Sequence, residues 1–424
     1  MKSFLDKLFF RSNNLDSVSY NLKELFYKTP ASIIFKVINS YSSSSEIRYV
    51  GGCVRKAING EKIDDIDLAT NLEPKKICEI FEKNQISYYQ TGIEHGTVTA
   101  IIDDHKFEIT SLREDISTDG RHAKIKFSND WKKDASRRDF TINSIYSDSE
   151  GNLFDPYNGK DDLEKGEINF IGDPEERIQE DYLRILRYIR FFLNYSKQKH
   201  KHEIVKFLRM NLIGISKLSK ERLLDELKKI LHEETLLKLS KDKICLEVIE
   251  AIFPELKNFR IFSKLSSYSK SILKDADFIF LISLLIIDET DNADYFLYKY
   301  NISKKDQKRI KNIHNFYKEK ITSKTLDKNN LNKIFYYRGK ETVIDILNFR
   351  IFKSNKIDNN LVELLKIYED KLRPIMPVQA DILKQKYKIS EGKTLGDKLK
   401  MIEKEWVNNN FEISDKQVEN IINN

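Results

Sequence analysis

Between residues 47 and 146, apolar and polar positions alternate in short runs. Ile47–Gly52 (IRYVGG), Asp65–Thr70 (DIDLAT), Thr97–Ile102 (TVTAII), Lys106–Leu112 (KFEITSL), Lys124–Phe127 (KIKF) and Phe140–Ser147 (FTINSIYS) have the two-residue period and side-chain types of strands. Among them LEPKKICEIFEKN, Leu72–Asn84, has helical spacing. Residues 1–45 carry the pattern of amphipathic helix, SYNLKELFYKTPASIIFKVINSY, before a polar Ser42–Ser45 run. Near residue 150 the texture changes. Asn152–Arg177 is predicted as a loop-and-turn connector that ends in Asp173-Pro174-Glu175-Glu176. An acid at the N-cap, proline at the first helical position and Glu at the third make a helix start. Helical periodicity then runs to the C-terminus. The pattern predicts an α+β protein, a small mixed β-sheet unit followed by an all-helical remainder.

Composition supports this outline. A chain of 424 residues has room for two or three domains. With 40% hydrophobic residues it can bury real cores, and only 14 Gly and 7 Pro disfavour all-β or collagen-like architecture. Three scattered cysteines, Cys53, Cys78 and Cys245, make neither a disulfide framework nor a zinc cage, so a reducing, cytoplasmic location is expected. The N-terminus carries Asp6 and Asp16 and lacks the long apolar run of a secretory signal. The most apolar stretch, Phe278–Ile287, is well short of the roughly 20 residues that span a bilayer, and is expected to be a buried helix with no membrane association. The net charge of +7 is unevenly spread: residues 1–150 hold 22 basic and 23 acidic side chains, the rest 51 and 43. The positive surplus therefore lies beyond residue 150, and an anionic partner there is the natural expectation. The Lys-rich runs Lys304–Lys311 and Lys318–Lys328 are expected as solvated helix faces.

The candidate chemistry begins at Tyr49-Val50-Gly51-Gly52-Cys53-Val54-Arg55, a strand, a glycine turn and a helix start. Twin glycines let a ligand approach the backbone, and a helix N-terminus favours phosphate; the same pattern also serves as a bare turn. Asp65 and Asp67 follow, spaced to share one face of a strand. Such a pair either ends a solvent-facing strand or binds a hard cation such as Mg²⁺. Glu108 on another strand adds a third carboxylate, and the three together suit metal-assisted phosphoryl or nucleotidyl transfer. Arg137-Arg138-Asp139-Phe140-Thr141-Ile142-Asn143 offers guanidinium groups for triphosphate oxygens, with Asp and Asn for ribose hydroxyls. Glu180–Arg190, EDYLRILRYIR, is predicted as one continuous helix that puts Asp181, Arg184, Arg187 and Arg190 on a polar stripe. Taken alone, that stripe is also explained by i,i+3 ion pairing.

Together these segments resemble the class II tRNA nucleotidyltransferases, the CCA-adding enzymes of the polymerase-β-like nucleotidyltransferase superfamily. The similarity lies in YVGGCVRKAINGEKIDDIDLATN, FEITSLRED, DGRHAKIKFSNDWKKDASRRDFTINSIY, FDPYNGKDDLEKGEINFIGD and EDYLRILRYIRFF, in that order across about 47–195. The resemblance implies a helical N-terminal extension (1–46), a catalytic head (47–150), a neck with a base-reading helix (151–240) and a tRNA-binding body and tail (241–424). It implies that Asp65 and Asp67 hold Mg²⁺, that Glu108 is the third catalytic carboxylate, and that Gly51, Gly52 and Arg55 form the nucleotide-binding turn. Arg138, Asp139 and Asn143 would then contact ribose and triphosphate. Asp181 and Arg184 would read the base, with Arg187 and Arg190 beside them. The implied reaction adds C, C and A to the 3′ end of tRNA from CTP and ATP with no stable protein partner.

Base reading without a template has a physical basis. Cytosine and adenine present an amine donor beside a ring-nitrogen acceptor, which suit a carboxylate and a guanidinium. Guanine and uracil present the reverse order, and each mismatched buried polar contact costs about 1–3 kcal/mol. The DGRHA stretch, which relatives that add only CC lack, is intact here. Lys56 stands where the family usually has an acid, and Ser144 where it often has Ala. Gly392–Trp406 is weakly similar to a family tail segment. Two other functions fit parts of the pattern: a bacterial poly(A) polymerase, and a non-catalytic RNA-binding protein on the same fold.

Overall fold

The computed structural model describes residues 14–90, 92–118, 123–318, 326–354 and 358–423. The chain divides into two compact units, Met1–Glu226 and Leu227–Asn424. The first runs α1 (Asn14–Lys28), α2 (Ala31–Asn39), β1 (Ile47–Val50), α3 (Gly52–Asn59), β2 (Ile66–Thr70), α4 (Pro74–Lys83), β3 (Ser87–Tyr89), β4 (Thr97–Ile102), β5 (His105–Ser111), β6 (Arg113–Thr118), β7 (Ala123–Phe127), α5 (Trp131–Ser136), β8 (Tyr146–Ser147), β9 (Leu153–Phe154), α6 (Gly159–Lys165), α7 (Pro174–Glu180), α8 (Leu183–Tyr195), α9 (His202–Met210) and α10 (Lys220–Ile230).

Seven strands form one sheet in the order β3-β4-β5-β2-β1-β8-β9, and β6 and β7 make a separate hairpin. Within the large sheet only β2 and β5 run parallel, in a register that sets Asp67 opposite Glu108 and Leu68 opposite Ile109. One layer of core side chains covers the sheet. Leu68, Val98, Phe107 and Ile109 from the strands meet Ile77 and Phe81 of α4, and Val18, Leu22, Ile34, Phe35 and Ile38 of α1 and α2. The N-terminal helices are thus built into the core of the sheet unit. Each such buried side chain contributes about 1.5–3 kcal/mol.

The predicted α+β organisation holds, with local differences that have physical causes. The single N-terminal helical stretch is two helices, because Pro30 disfavours helical geometry at Thr29 and itself forms the cap of α2. Thr29 Oγ1 closes the end of α1 on the Leu25 carbonyl at 2.6 Å. FTINSIYS is not a strand over its length. Thr141–Asn143 form a 3₁₀ turn, and only Tyr146 and Ser147 join the sheet. Ser144 Oγ donates to the Thr141 carbonyl at 2.8 Å, a local bond that competes with the ladder. The connector contains β9 and α6. Asp155 starts α6 by accepting from the Gly159 and Lys160 amides, both at 2.8 Å. Glu180–Arg190 is interrupted: Asp181 is extended (φ −152°, ψ 103°) between α7 and α8, and its carboxylate accepts from the Leu183 amide at 3.1 Å. This Asx turn replaces helical continuation. The start of α7 is as expected, with Asp173 accepting from the Glu176 amide at 2.9 Å.

The described regular elements of the second unit are all helices. Phe278–Ile286 is a buried helix, as its apolar run predicts. One core gathers Leu331, Phe335, Leu347, Leu365 and Tyr368, and another, toward the C-terminus, Leu383, Leu395, Ile402 and Val418. Gly392–Trp406 coincides largely with the helix Lys393–Asn408. No helix among the described residues is long and apolar enough to cross a membrane. Met1–Asn13, residues 119–122 of DGRHA and 319–325 of the second Lys-rich run lie outside the described residues.

Candidate active site

The glycine turn joins β1 to α3. Gly51 has φ 67° and ψ −115°, a conformation that L side chains rarely adopt, and its amide donates to the Ile145 carbonyl at 3.2 Å. A Cβ at Gly52 would lie 3.8 Å from Asp67 Oδ2, so the turn passes directly over that carboxylate. Asp67 is on β2. Asp65 lies one residue before the strand, exposed at its mouth, and does not share the strand with Asp67 as the sequence suggested. Glu108, the register partner of Asp67 on β5, is exposed, with Lys106 Nζ at 3.1 Å. Burial, then the charges of Glu108 and Asp65, raise the Asp67 carboxyl above the ordinary range, partly offset by Arg138 and Arg55. The charges of two exposed carboxylates thus crowd a third that is short of solvent, a strain that a divalent cation bound at Asp67 would relieve.

A cavity of about 550 Å³ opens beside Asp67. Gly51, Gly52, Arg55, Arg138, Asp139, Asn143, Asp181, Arg184, Arg187 and Arg190 all line it. Asp65 and Glu108 are not among the lining residues. The sequence reading omitted Arg113, Arg137, Leu183, Phe191 and Arg222, which also line the wall. Arg113, Arg137, Leu183 and Phe191 stood in quoted motifs but were not named among the site residues. Arg222 lies on α10, whose mixed amphipathic sequence carries no signal that would single it out.

Eight of the lining residues are arginines and three are aspartates, a strongly anion-attracting wall. Its polar groups are cross-linked. The buried Arg55 donates to Asn143 Oδ1. Asn143 Nδ2 donates to Asp139 Oδ1 at 2.9 Å, and Arg187 Nε donates to Asp139 Oδ2. Asp139 is buried, yet the Arg187 guanidinium, Asn143 and the Phe140 amide hold its carboxyl well below the ordinary range. The Arg55 guanidinium also lies 4.9 Å from the ring centroids of both Phe191 and Tyr195. One continuous network therefore ties α3, the turn after α5, and α8.

The two expected base readers have separate partners. Arg222 donates to Asp181 Oδ2 at 2.7 Å, and Arg184 donates to Glu180 Oε2 at 2.6 Å. Glu180 also takes Arg177, whose other nitrogen donates to the carbonyls of Arg137 and Arg138, each at 2.6 Å. Arg190 pairs with the buried Glu226.

The sequence model of the Poly A polymerase head domain matches residues 47–169. The CCA-adding enzyme of Streptococcus uberis is 31% identical over 370 residues, 85% of this chain and 88% of that protein. The mitochondrial CCA tRNA nucleotidyltransferase 1 of Mus musculus is 46% identical over 189 residues, and that match spans only 44% of each chain. Among solved structures, the Bacillus stearothermophilus CCA-adding enzyme in complex with CTP aligns with a TM-score of 0.68 at 20% identity, covering 93% of this chain and 96% of that one. The Thermotoga maritima CCA-adding enzyme complexed with tRNA aligns with a TM-score of 0.60 at 19% identity, covering 96% and 98%. At these identities the structural matches establish the fold.

Proposed function

The chain belongs to the CCA-adding enzyme family, and from that premise we propose that it adds C, C and A to the 3′ end of tRNA from CTP and ATP, releasing pyrophosphate and using no nucleic-acid template. The observation that carries this reading is the convergence of ten nucleotide-contact candidates on one arginine-rich cavity that opens beside Asp67.

In this reading Asp65 and Asp67, with Glu108 alongside, hold a divalent cation, Mg²⁺ by preference for hard oxygen donors. When bound, it supplies a Lewis acid for the attacking tRNA 3′-hydroxyl and the departing pyrophosphate. The remaining chemistry belongs to the chain. The Gly51–Gly52 turn brings the triphosphate backbone-close to Asp67. Arg138 and its neighbours neutralise phosphate charge, and Asp139 and Asn143, fixed by Arg187 and Arg55, receive the ribose hydroxyls. Asp181 accepts from the exocyclic amine of cytosine or adenine while Arg184 donates to the adjacent ring nitrogen. A carboxylate offers about four lone-pair sites. Asp181 can therefore keep Arg222 and the Leu183 amide and still receive a base.

We assign 1–46 to a helical extension, 47–150 to the head, 151–240 to the neck, and 241–424 to a body and tail that contact tRNA. The three buried free cysteines support a reducing compartment, the cytoplasm in this reading. The deciding experiment supplies tRNA lacking its 3′ tail with single nucleotides and with CTP and ATP together, then sequences the product. Ordered C, C and A is expected. Because the matching head model carries the poly(A) polymerase name, incorporation of A alone, without C, would replace this reading with that activity.

A further inference from the structure

Behind the cavity wall, one described side chain without a role so far bonds to three of the lining arginines. Asp134 sits on the short helix α5 with a side chain 1% exposed. Its Oδ1 accepts from Arg137 Nε at 2.9 Å and from the Arg113 amide at 3.2 Å. Its Oδ2 accepts from the Tyr146 hydroxyl at 2.6 Å and from an Arg138 terminal nitrogen at 3.3 Å. Tyr146 in turn accepts from Arg138 Nε at 3.1 Å. Arg113, Arg137 and Arg138 all line the cavity, whereas Asp134 does not.

We propose that Asp134 is a positioning residue that aims Arg138 and Arg137 at the phosphates of the incoming nucleotide. The inference rests on the cavity being the nucleoside-triphosphate site proposed above. A guanidinium held on one edge by a carboxylate and on its Nε by a phenol has its fork direction fixed, with its other terminal nitrogen beside the Gly51 turn, where it makes a long 3.4 Å bond to the Asn143 carbonyl. Burying two adjacent arginines would otherwise set like charges side by side, and Asp134 compensates both from behind the wall. Because it is saturated by protein donors, it has no capacity left for a ligand of its own. Its influence on the reaction is exerted through the arginines. The contact to the Arg113 amide adds a tie to the root of the β6–β7 hairpin.

The test compares CTP and CMP binding to the full-length wild type and to Asp134→Asn. The substitution keeps the shape but replaces a charged acceptor with an amide that presents a donor to the arginines. CTP affinity is expected to fall about tenfold to a hundredfold, the usual loss for a charge-assisted contact, while CMP affinity stays within about twofold. General structural damage would lower both equally, and that result, or an unchanged CTP-to-CMP ratio, overturns the proposal. Should Asp134→Asn fail to fold, Tyr146→Phe decides. It removes one donor to Asp134 and the acceptor of Arg138 Nε, and a selective loss of CTP of about threefold or more supports the proposal, whereas an unchanged ratio overturns it. A wild type that binds CTP no better than CMP overturns the triphosphate reading itself, and this inference with it.

Discussion

Arg222 on α10 donates to the Asp181 carboxylate at 2.7 Å, so the residue proposed to accept from the incoming base is already held in place by a side chain 41 positions along the chain. On the proposed assignment, base selection is then a property of two elements. Arg222→Ala is expected to leave the fold intact and to relax discrimination of C and A against U and G by roughly 1–2 kcal/mol, since one oxygen of Asp181 becomes free to rotate. Asp181→Asn and Arg184→Ala should relax it further. The measurement is the ratio of misincorporation to correct addition for each nucleotide; unchanged ratios in all three variants would remove the base-reading assignment.

Asp65→Ala and Asp67→Ala are each expected to abolish nucleotide addition while tRNA binding, followed by filter retention, stays within about twofold. Asp67 offers a second readout. Burial and two neighbouring carboxylates raise its pKa, so the folded chain holds its proton more readily than the unfolded chain does. Its contribution to stability therefore declines as pH rises from the ordinary aspartate range through the raised folded value. At neutral pH, Asp67→Asn should raise the Tm of the metal-free protein by roughly 2–4 °C for each kcal/mol of relieved repulsion. A lower Tm would contradict the crowding argument.

Asp134 moves the opposite way. Burial disfavours its charge, but Arg138, Arg137 and the Tyr146 hydroxyl more than compensate and hold the carboxyl at about 2. Its folded pKa lies below its unfolded value, so its stabilisation is complete above about pH 4 and is lost as pH falls toward 2, with about 2 kcal/mol at stake. Urea unfolding from pH 5 to pH 2.5 should show a steeper acid limb for the wild type than for Asp134→Asn. Parallel limbs would mean that another group dominates.

The helix Lys304–Lys318 bears on the tRNA assignment. At 3.6 residues per turn, the exposed Lys304, Lys308, Lys311 and Lys318 fall within about 80° of arc, opposite the buried Ile313. The one acid of the helix, Asp306, points away from that ridge. Neutralising Lys304, Lys308 and Lys311 together with Gln should reduce the slope of log affinity for tRNA against log salt by about 2 to 3. Addition to a saturating primer should be little changed. An unaltered slope would return this ridge to the role of a solvated face.

The sequence disclosed which residues line the cavity better than the local geometry that brings them there. A strand with clear alternation, the Lys106–Leu112 run, formed within a residue of where it was expected, as His105–Ser111, because Phe107, Ile109 and Ser111 on one face are buried while Lys106 and Glu108 on the other are exposed, and the register is enforced. FTINSIYS alternated too, but Asn143 and Asp139 are committed to the side-chain network, and that cost the ladder its residues. The break at Asp181 was hidden because an Asx turn and a helix N-terminus use the same residue types. Arg222, Glu226 and Asp134 could not be seen as site residues. Their roles depend on pairings across 36 to 41 positions for the first two, and on the packing of α5 behind the wall for the third.

The parallel pairing of β2 with β5 also constrains how the chain reaches its working form. Asp67 and Glu108 become neighbours only when a crossover through α4, β3 and β4 has closed, and the same core waits on α1 and α2. Such pairings have high contact order and form late. The carboxylates cannot assemble in a short nascent peptide, so a divalent ion has no site to template early folding. During synthesis the acids proposed to hold the metal remain apart until β2 and β5 have paired, so on that assignment competence for catalysis is expected to arrive with the completed core.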